Sequence, residues 1–167
     1  MLGYLKRKFF GLLHHSQDRR ISIGKYAYPI PAEISIDIEP ESITHIGRDK
    51  YAIDFLIPEE TAVLSARDGT VHEVVEIYDV GGSEEKFAKF ANYILIRHED
   101  DEFSFYVHLG KDSAEVITGE LVKEGQTIAR QGSTGYTYEP HLHFAVFRNG
   151  ETVRIRFKRR PISVSKF

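Results

Sequence analysis

The chain has 167 residues, of which 41% are hydrophobic and 28% charged, a balance typical of one globular domain. Its formal net charge of -3 provides no basic field for nucleic acid, so no nucleic-acid partner is expected. Cysteine is absent, which excludes disulfide frameworks, thiolate metal sites and thiol nucleophiles. Any chemistry must therefore come from histidines, carboxylates and hydroxyls.

The chain opens with cations and a few apolar residues, in the segment MLGYLKRKFFGLLHHSQDRR. Its apolar run FFGLL is too short for the hydrophobic region of a signal peptide, and no cleavage-like site follows. No other stretch is long enough to span a bilayer. We expect residues 1–32 to be an N-terminal extension with a short helical or irregular segment. This segment would pack against the domain or, as the less favoured alternative, against a membrane surface.

From Glu33 onward, β-branched and aromatic residues alternate with polar ones, which is typical of strands. The pattern predicts one mainly β domain over residues 33–167, with mostly antiparallel neighbours. The predicted strands are EISIDIE, YAIDFLI, TAVLSA, TVHEVVEIY, NYILIRHE, EFSFYVHL, QTIARQG, HLHFAVF and TVRIRF. Asp100-Asp101 and Asn149-Gly150 are predicted hairpin turns, and DVGGSEEKFAKFA is predicted to be a surface loop with room for one helical turn.

Two histidines flank one apolar residue in the segment PHLHF, at the start of a predicted strand. Alternate side chains of a strand share a face, so His141 and His143 point the same way, with Cα atoms about 6.5 to 7 Å apart. One imidazole could then bind a metal while the other reaches a water molecule beside it. A structural role is an equally open interpretation of this pair taken alone.

Two further residues make a metal site more plausible. His108 ends the predicted strand FSFYVHL, where alternation places it on the same side as Tyr106. Asp54 interrupts the apolar strand YAIDFLI, and burying an unpaired carboxylate is costly. A metal, a cation or backbone donors must therefore stabilise Asp54.

Four segments in this order resemble the lysostaphin or LytM-type peptidoglycan endopeptidases over roughly residues 45–148. The segments are YAIDFLIPEETAVLSARDGTV, NYILIRHEDDEFSFYVHLG, LVKEGQTIARQGSTG and PHLHF. The resemblance implies an all-β fold, the duplicated hybrid motif, in which antiparallel sheets form a substrate groove. It also implies that Asp54 and His143 bind zinc, and that His108 and His141 flank the water and the scissile carbonyl. Which of these two histidines first accepts the proton is left open.

The chain departs from this family pattern at one zinc ligand. Most relatives carry a histidine four positions before the aspartate, where this chain has Lys50, and a protonated amine has no lone pair for zinc. His45 in the preceding loop is the predicted substitute, with Gly47 providing the turn that folds it back. Glu60 also replaces a usual glycine, and we expect a changed turn there without a catalytic effect.

Three tyrosines are candidate substrate contacts, because a phenol can donate a hydrogen bond and stack on a ligand: Tyr106, Tyr136 and Tyr138. The remaining histidines are assigned structural or solvated roles: His14, His15, His72 and His98. Asn92 and Thr134 match positions of the family pattern, and neither is assigned to catalysis.

The predicted function is a zinc metalloendopeptidase that hydrolyses peptide bonds in peptidoglycan stems or cross-bridges. The alternative, kept open by Lys50, is an inactive LytM-like domain that binds peptidoglycan or regulates a partner hydrolase. A carrier or phosphotransfer domain is a more distant third possibility. Extracellular or periplasmic action is expected if peptidoglycan is the substrate, whereas the export route, the bond cut and the oligomeric state are left open.

Overall fold

The structure is a computed structural model that describes residues 20–34, 37–39 and 47–159. These residues form 14 strands: β1 (Ile21–Tyr26), β2 (Asp37–Glu39), β3 (Ile53–Leu56), β4 (Ala62–Leu64), β5 (Gly69–Val75), β6 (Gly81–Gly82), β7 (Tyr93–Arg97), β8 (Glu102–Val107), β9 (Leu121–Val122), β10 (Thr127–Arg130), β11 (Gly135–Tyr136), β12 (His141–Arg148), β13 (Glu151–Thr152) and β14 (Arg154–Phe157). Short 3-10 helices span Gly47–Asp49, Glu85–Phe90 and Glu99–Asp101.

A central antiparallel sheet organises the fold. Its strand order is β2-β3-β12-β8-β7-β5-β9, with β13 added as a hairpin on β12. Separate two-stranded pairs join β4 to β10 antiparallel, and β1 to β14 and β6 to β11 parallel. The prediction of a mainly β, mostly antiparallel fold is confirmed. Among the described residues, no helix has the length and apolar character needed to cross a bilayer.

Both predicted hairpin turns are present, and each uses left-handed backbone. Asp100 and Asp101 join β7 to β8 with φ of 68° and 55°, while Asn149 and Gly150 join β12 to β13 with φ of 54° and 79°. Asparagine, aspartate and glycine tolerate this region better than other residues, and their twist suits tight hairpins. These turns explain why the predicted strands on either side form where expected.

The core lies on one face of the central sheet. Along β12, Leu142, Phe144 and Val146 are fully buried, which is the period of two expected for a strand with one covered face. Their cluster includes Phe55 of β3 and Ile94 of β7. The histidines of β12 consequently point to the opposite face.

Residues before the predicted domain start also enter this core. Tyr26 and Ile30 are buried in the same cluster, and β1 pairs with β14 at the other end of the domain. The division at residue 32 stays a prediction, although Ile21–Tyr26 packs as part of the domain. The predicted helical or irregular segment falls on residues 1–19, outside the described part of the chain.

A buried carboxylate fastens β1 to the sheet. Glu102 is 0% exposed and accepts hydrogen bonds from the backbone N–H groups of Ile23 and Gly24 and from the Tyr26 hydroxyl. The Arg67 guanidinium lies 3.5 Å away. A fully buried acid is tolerated only with such partners, so this cluster stabilises the packing of β1.

We predict that Glu102→Gln lowers the free energy of unfolding by about 3 kcal/mol, because it removes the charge and places an N–H donor against one of the two backbone N–H groups. The matched control is Glu115→Gln at the half-exposed Glu115–Arg130 pair, which should cost less than about 1 kcal/mol. Urea denaturation of both variants measures the difference. Equal losses would contradict the anchoring role of Glu102.

His98 directly follows β7, is buried and is uncharged at neutral pH. Its Nδ1 lies 2.8 Å from the Asp68 carbonyl oxygen and its Nε2 lies 2.7 Å from Ser104 Oγ. Burial lowers the pKa of His98 from 6.5 to about 4. The unfolded chain therefore binds a proton at this residue at a higher pH than the folded chain does.

The sign of the resulting pH dependence follows from linkage. Above pH 6.5 both states hold a neutral ring, so His98 adds no pH dependence. As the pH falls from 6.5 to 4, only the unfolded state gains the proton, and stability should fall by up to about 3 kcal/mol. Urea denaturation from pH 7.5 to 4.5 should give a smaller loss for His98→Gln than for the unaltered chain. Parallel pH curves would show that His98 does not contribute.

Candidate active site

The register of β3 and β12 places Asp54 directly opposite His143. Side chains of directly opposed residues share a face, and here His143 Nδ1 lies 2.9 Å from Asp54 Oδ1. The Asp54 side chain is only 6% exposed. The carboxylate whose burial the sequence left unexplained is therefore paired with an imidazole from a strand far along the chain.

His141 completes a compact group on the same face. Its Nδ1 lies 2.9 Å from the Glu139 carbonyl oxygen and must donate to it, because a carbonyl only accepts. Nε2 of the neutral ring is then unprotonated, and it lies 3.8 Å from Asp54 Oδ1. A backbone carbonyl thus fixes the tautomer of His141, as is common beside metal sites.

The donor set suits zinc. One ligand atom each from Asp54, His141 and His143 lies within 4.8 Å of the others. In a tetrahedral site with bonds of about 2.0 Å, neighbouring ligand atoms are about 3.3 Å apart. The separation of 2.9 Å between Asp54 and His143 is close to that value, whereas the 3.8 Å to His141 is wider. Nitrogen and oxygen ligands of this kind are those that catalytic zinc uses.

His108 approaches from the end of β8. Its ring centroid lies 4.6 Å from that of His141 and 6.1 Å from that of His143. Its Nδ1 donates to the Thr134 carbonyl oxygen at 2.7 Å, so Nε2 is unprotonated in the neutral ring. Burial, reinforced by the neighbouring imidazoles, lowers the pKa of His108 to about 3.

The backbone of His108 breaks the alternation of its strand. Its φ is 67°, a left-handed conformation that a non-glycine residue adopts only where its surroundings hold it. Strict alternation would point this ring into the core beside Tyr106. The expectation that the two share a side is therefore wrong, and the His108 ring lies against His141 and His143 instead.

A buried polar cluster holds the segment around His108. Thr134 Oγ1 donates to the Leu109 carbonyl at 2.8 Å and accepts the Asn92 backbone N–H at 3.0 Å. The Asn92 carboxamide donates to the carbonyls of Tyr78 and Leu109. Asn92 and Thr134 therefore hold in place the loop whose Thr134 carbonyl accepts the hydrogen bond from His108. That neither residue takes part in catalysis stays a prediction.

The predicted third ligand, His45, lies outside the described residues, and its assignment stays a prediction. Lys50 is exposed, with its ammonium 5.7 Å from the centre of the Tyr51 ring. Glu60 has a φ of 66°, a conformation that favours glycine, which accounts for the usual glycine at this position.

One of the three tyrosine predictions is wrong. Tyr106 is 0% exposed, packs against Phe144, and accepts the Ala66 backbone N–H through its hydroxyl, so substrate cannot reach it. The hydroxyls of Tyr136 and Tyr138 lie 2.7 Å apart, and Tyr138 is 64% exposed. Substrate contact by these two tyrosines stays a prediction.

Sequence reasoning missed two groups that orient His141. The Glu139 carbonyl accepts from its ring, and Thr137 Oγ1 lies 3.2 Å from the same nitrogen. Any residue type supplies a carbonyl, so its contact left no signal in the sequence. A hydroxyl four positions before a candidate histidine was the only visible clue.

Comparison with known proteins identifies the family of this chain. A model of peptidase family M23 matches residues 48–155, so the chain belongs to this family. It is 31% identical to an uncharacterized metalloprotease of Haemophilus influenzae over 86% of this chain and 29% of that protein. It is 37% identical to the peptidoglycan DD-endopeptidase ShyB of Vibrio cholerae, over 67% of this chain and 24% of that enzyme.

The fold comparison agrees. The structure is similar to that of a zinc-containing peptidase from Vibrio cholerae, with a TM-score of 0.59 and 30% identity, over 83% of this chain and 41% of the other. The chain spans less than a third of the length of the two relatives compared by sequence. The match therefore concerns the peptidase domain and not the whole of those proteins.

We predict that Asp54→Asn weakens divalent metal binding, because it removes the anionic ligand. The loss of affinity should exceed the roughly 10- to 100-fold that is typical when a residue that only hydrogen-bonds to a metal ligand is removed. Titration of the metal-free protein against a zinc-binding dye measures the change. Asp49→Asn, at a partly exposed acid on the nearby 3-10 helix, should leave the affinity unchanged. Unchanged binding in Asp54→Asn would contradict the site.

Proposed function

We propose that the chain is a zinc metalloendopeptidase that cuts peptide bonds in the stems or cross-bridges of peptidoglycan. The observation that carries the proposal is the convergence of Asp54, His141 and His143 from β3 and β12, with His108 against them. Membership of family M23 and the similarity to a peptidoglycan DD-endopeptidase support the reaction class and the substrate.

We assign Asp54, His143 and His45 as zinc ligands, and His108 and His141 as catalytic residues. A catalytic zinc site uses three protein ligands and keeps one position open. The structural group also admits His141 as a ligand, but its longer separation from Asp54 suits a residue beside the site. Whether His45 binds the zinc decides between these two arrangements.

When bound, zinc would lower the pKa of a coordinated water to about 7 and would polarise the scissile carbonyl. His108 and His141 each donate their Nδ1 proton to a backbone carbonyl, which leaves both Nε2 atoms as proton acceptors. Either ring can take a proton from the attacking water and return it to the departing amine. An imidazolium formed in this way also donates a hydrogen bond to the oxyanion.

The face of the sheet that carries the histidines suits an extended peptide. His143 stands across from Val107, and Val107 stands across from Tyr93, so one row leads from the zinc ligands over three strands. Beyond it lies a cavity of about 650 Å³. Its lining is largely aromatic and includes Tyr93, Leu95, Phe103, Phe105 and Phe147. We propose that the substrate lies along this face, outside the cytoplasmic membrane, where peptidoglycan is found.

A second candidate function is a domain that binds peptidoglycan or regulates a partner hydrolase without catalysis. Lys50, at the position of the usual histidine ligand, favours this alternative. The presence of both candidate catalytic histidines against the metal group favours the enzyme.

The test compares two neighbouring substitutions. We expect His45→Ala to lose zinc and to release no peptide fragments from purified peptidoglycan. Lys50→Ala should keep both zinc and activity, because the ammonium is exposed and faces Tyr51. Metal analysis by mass spectrometry and chromatography of the released fragments give the two readouts.

Two results would change the assignment. Loss of zinc in Lys50→Ala with retention in His45→Ala would remove His45 from the site. Stoichiometric zinc in the unaltered chain without cleavage of any wall type would replace the enzyme by the binding or regulatory domain.

A further inference from the structure

A buried carboxamide lies between the two proposed catalytic histidines. Gln131 directly follows β10 and is 0% exposed. Its Nε2 lies 2.5 Å from the His141 carbonyl oxygen, 2.7 Å from that of Gly132 and 3.4 Å from that of His108. The two N–H groups can satisfy the two nearer carbonyls fully, while the third contact is longer.

Gln131 lies where two neighbouring strands separate. The β8–β12 ladder ends at the pair Val107–His143; continued in the same register, it would join His108 to Leu142 and then Leu109 to His141. Leu109 bridges to Gln131 instead. The Gln131 side chain therefore spans the gap that opens between the end of β8 and the start of β12.

The gap adjoins His108, the residue with the left-handed backbone conformation. The carbonyl of His108 accepts the Gly132 backbone N–H at 3.0 Å and also faces the Gln131 carboxamide. A non-glycine residue at φ of 67° needs such external contacts to stay there. Gln131 thus contacts the backbone of both histidines whose rings lie 4.6 Å apart.

The polar contacts of this side chain are made through its N–H donors. Within the described part of the chain, Gln131 Oε1 has no hydrogen-bond partner. A buried acceptor without a partner is destabilising, so the oxygen gives glutamine no advantage over an apolar side chain of similar length. The contacts that distinguish glutamine from methionine at this position are the N–H contacts to the carbonyls of Gly132 and His141 and the longer one to His108.

We propose that Gln131 is a positioning residue that sets the relative placement of the His108 and His141 rings for proton transfer. The kinetic consequence rests on the proposed peptidase function. The placement of the two rings does not, and it can be measured without substrate.

The test uses Gln131→Met and Gln131→Glu in the full chain. Both substitutions keep the length of the side chain and remove its N–H donors. If one variant fails to fold, the other still tests the proposal. In the zinc-loaded protein we expect kcat to fall about 10-fold or more, with KM changed less than about 2-fold and an altered pH profile of kcat. In ¹⁵N NMR spectra of the metal-free protein, the ring signals of His108 and His141 should shift.

Ser104→Ala is the control, because it removes a buried hydrogen-bonding group from the distant His98 cluster. It should leave kcat, its pH profile and both ring signals unchanged. Unaltered ring signals in the Gln131 variants, or an equal loss of kcat in Ser104→Ala, would overturn the proposal. If the unaltered chain cleaves no peptide, the proposed function fails, and the ring signals alone decide on Gln131.

Discussion

The site depends on the register between β3 and β12. This register sets Asp54 opposite His143 and brings an acid and an imidazole 89 residues apart in sequence to 2.9 Å. A slip of one residue would turn every side chain of the strand to the other face, moving the histidines into the core and Leu142 and Phe144 into solvent. Core packing on one face therefore fixes the chemistry on the other.

The fold treats its two buried acids differently. Glu102 is surrounded by backbone donors, a tyrosine hydroxyl and an arginine, a set that satisfies a permanent carboxylate and holds β1 in place. Asp54 faces two imidazoles whose nitrogens, like its own oxygens, can bind a cation. The first environment is structural, whereas the second is suited to a metal ion.

Much of the sheet could be predicted because its signals are local. Alternation located the long strands, and the Asn149-Gly150 turn located a hairpin. Strand β1 was missed because Lys25 interrupts the apolar alternation that Ile21 and Ile23 begin, and β6, β9 and β11 were missed because two residues carry no periodicity.

The site was predicted less completely, for a physical reason. Alternation assigns side chains to faces only while the backbone stays extended, and the left-handed turn at His108 separates its ring from Tyr106. The carbonyls of Thr134 and Glu139, which orient the two rings, belong to the backbone and have no residue-type signature. The same holds for the bridge made by Gln131, whose role depends on a gap between strands that sequence does not reveal.

X-ray diffraction from zinc-soaked crystals, recorded on both sides of the zinc absorption edge, tests the central claim most directly. The account predicts one anomalous peak about 2.0 to 2.2 Å from both an Asp54 carboxylate oxygen and His143 Nδ1. A zinc peak that contacts neither side chain would contradict it. So would well-ordered Asp54 and His143 side chains in a crystal that binds zinc only at another place.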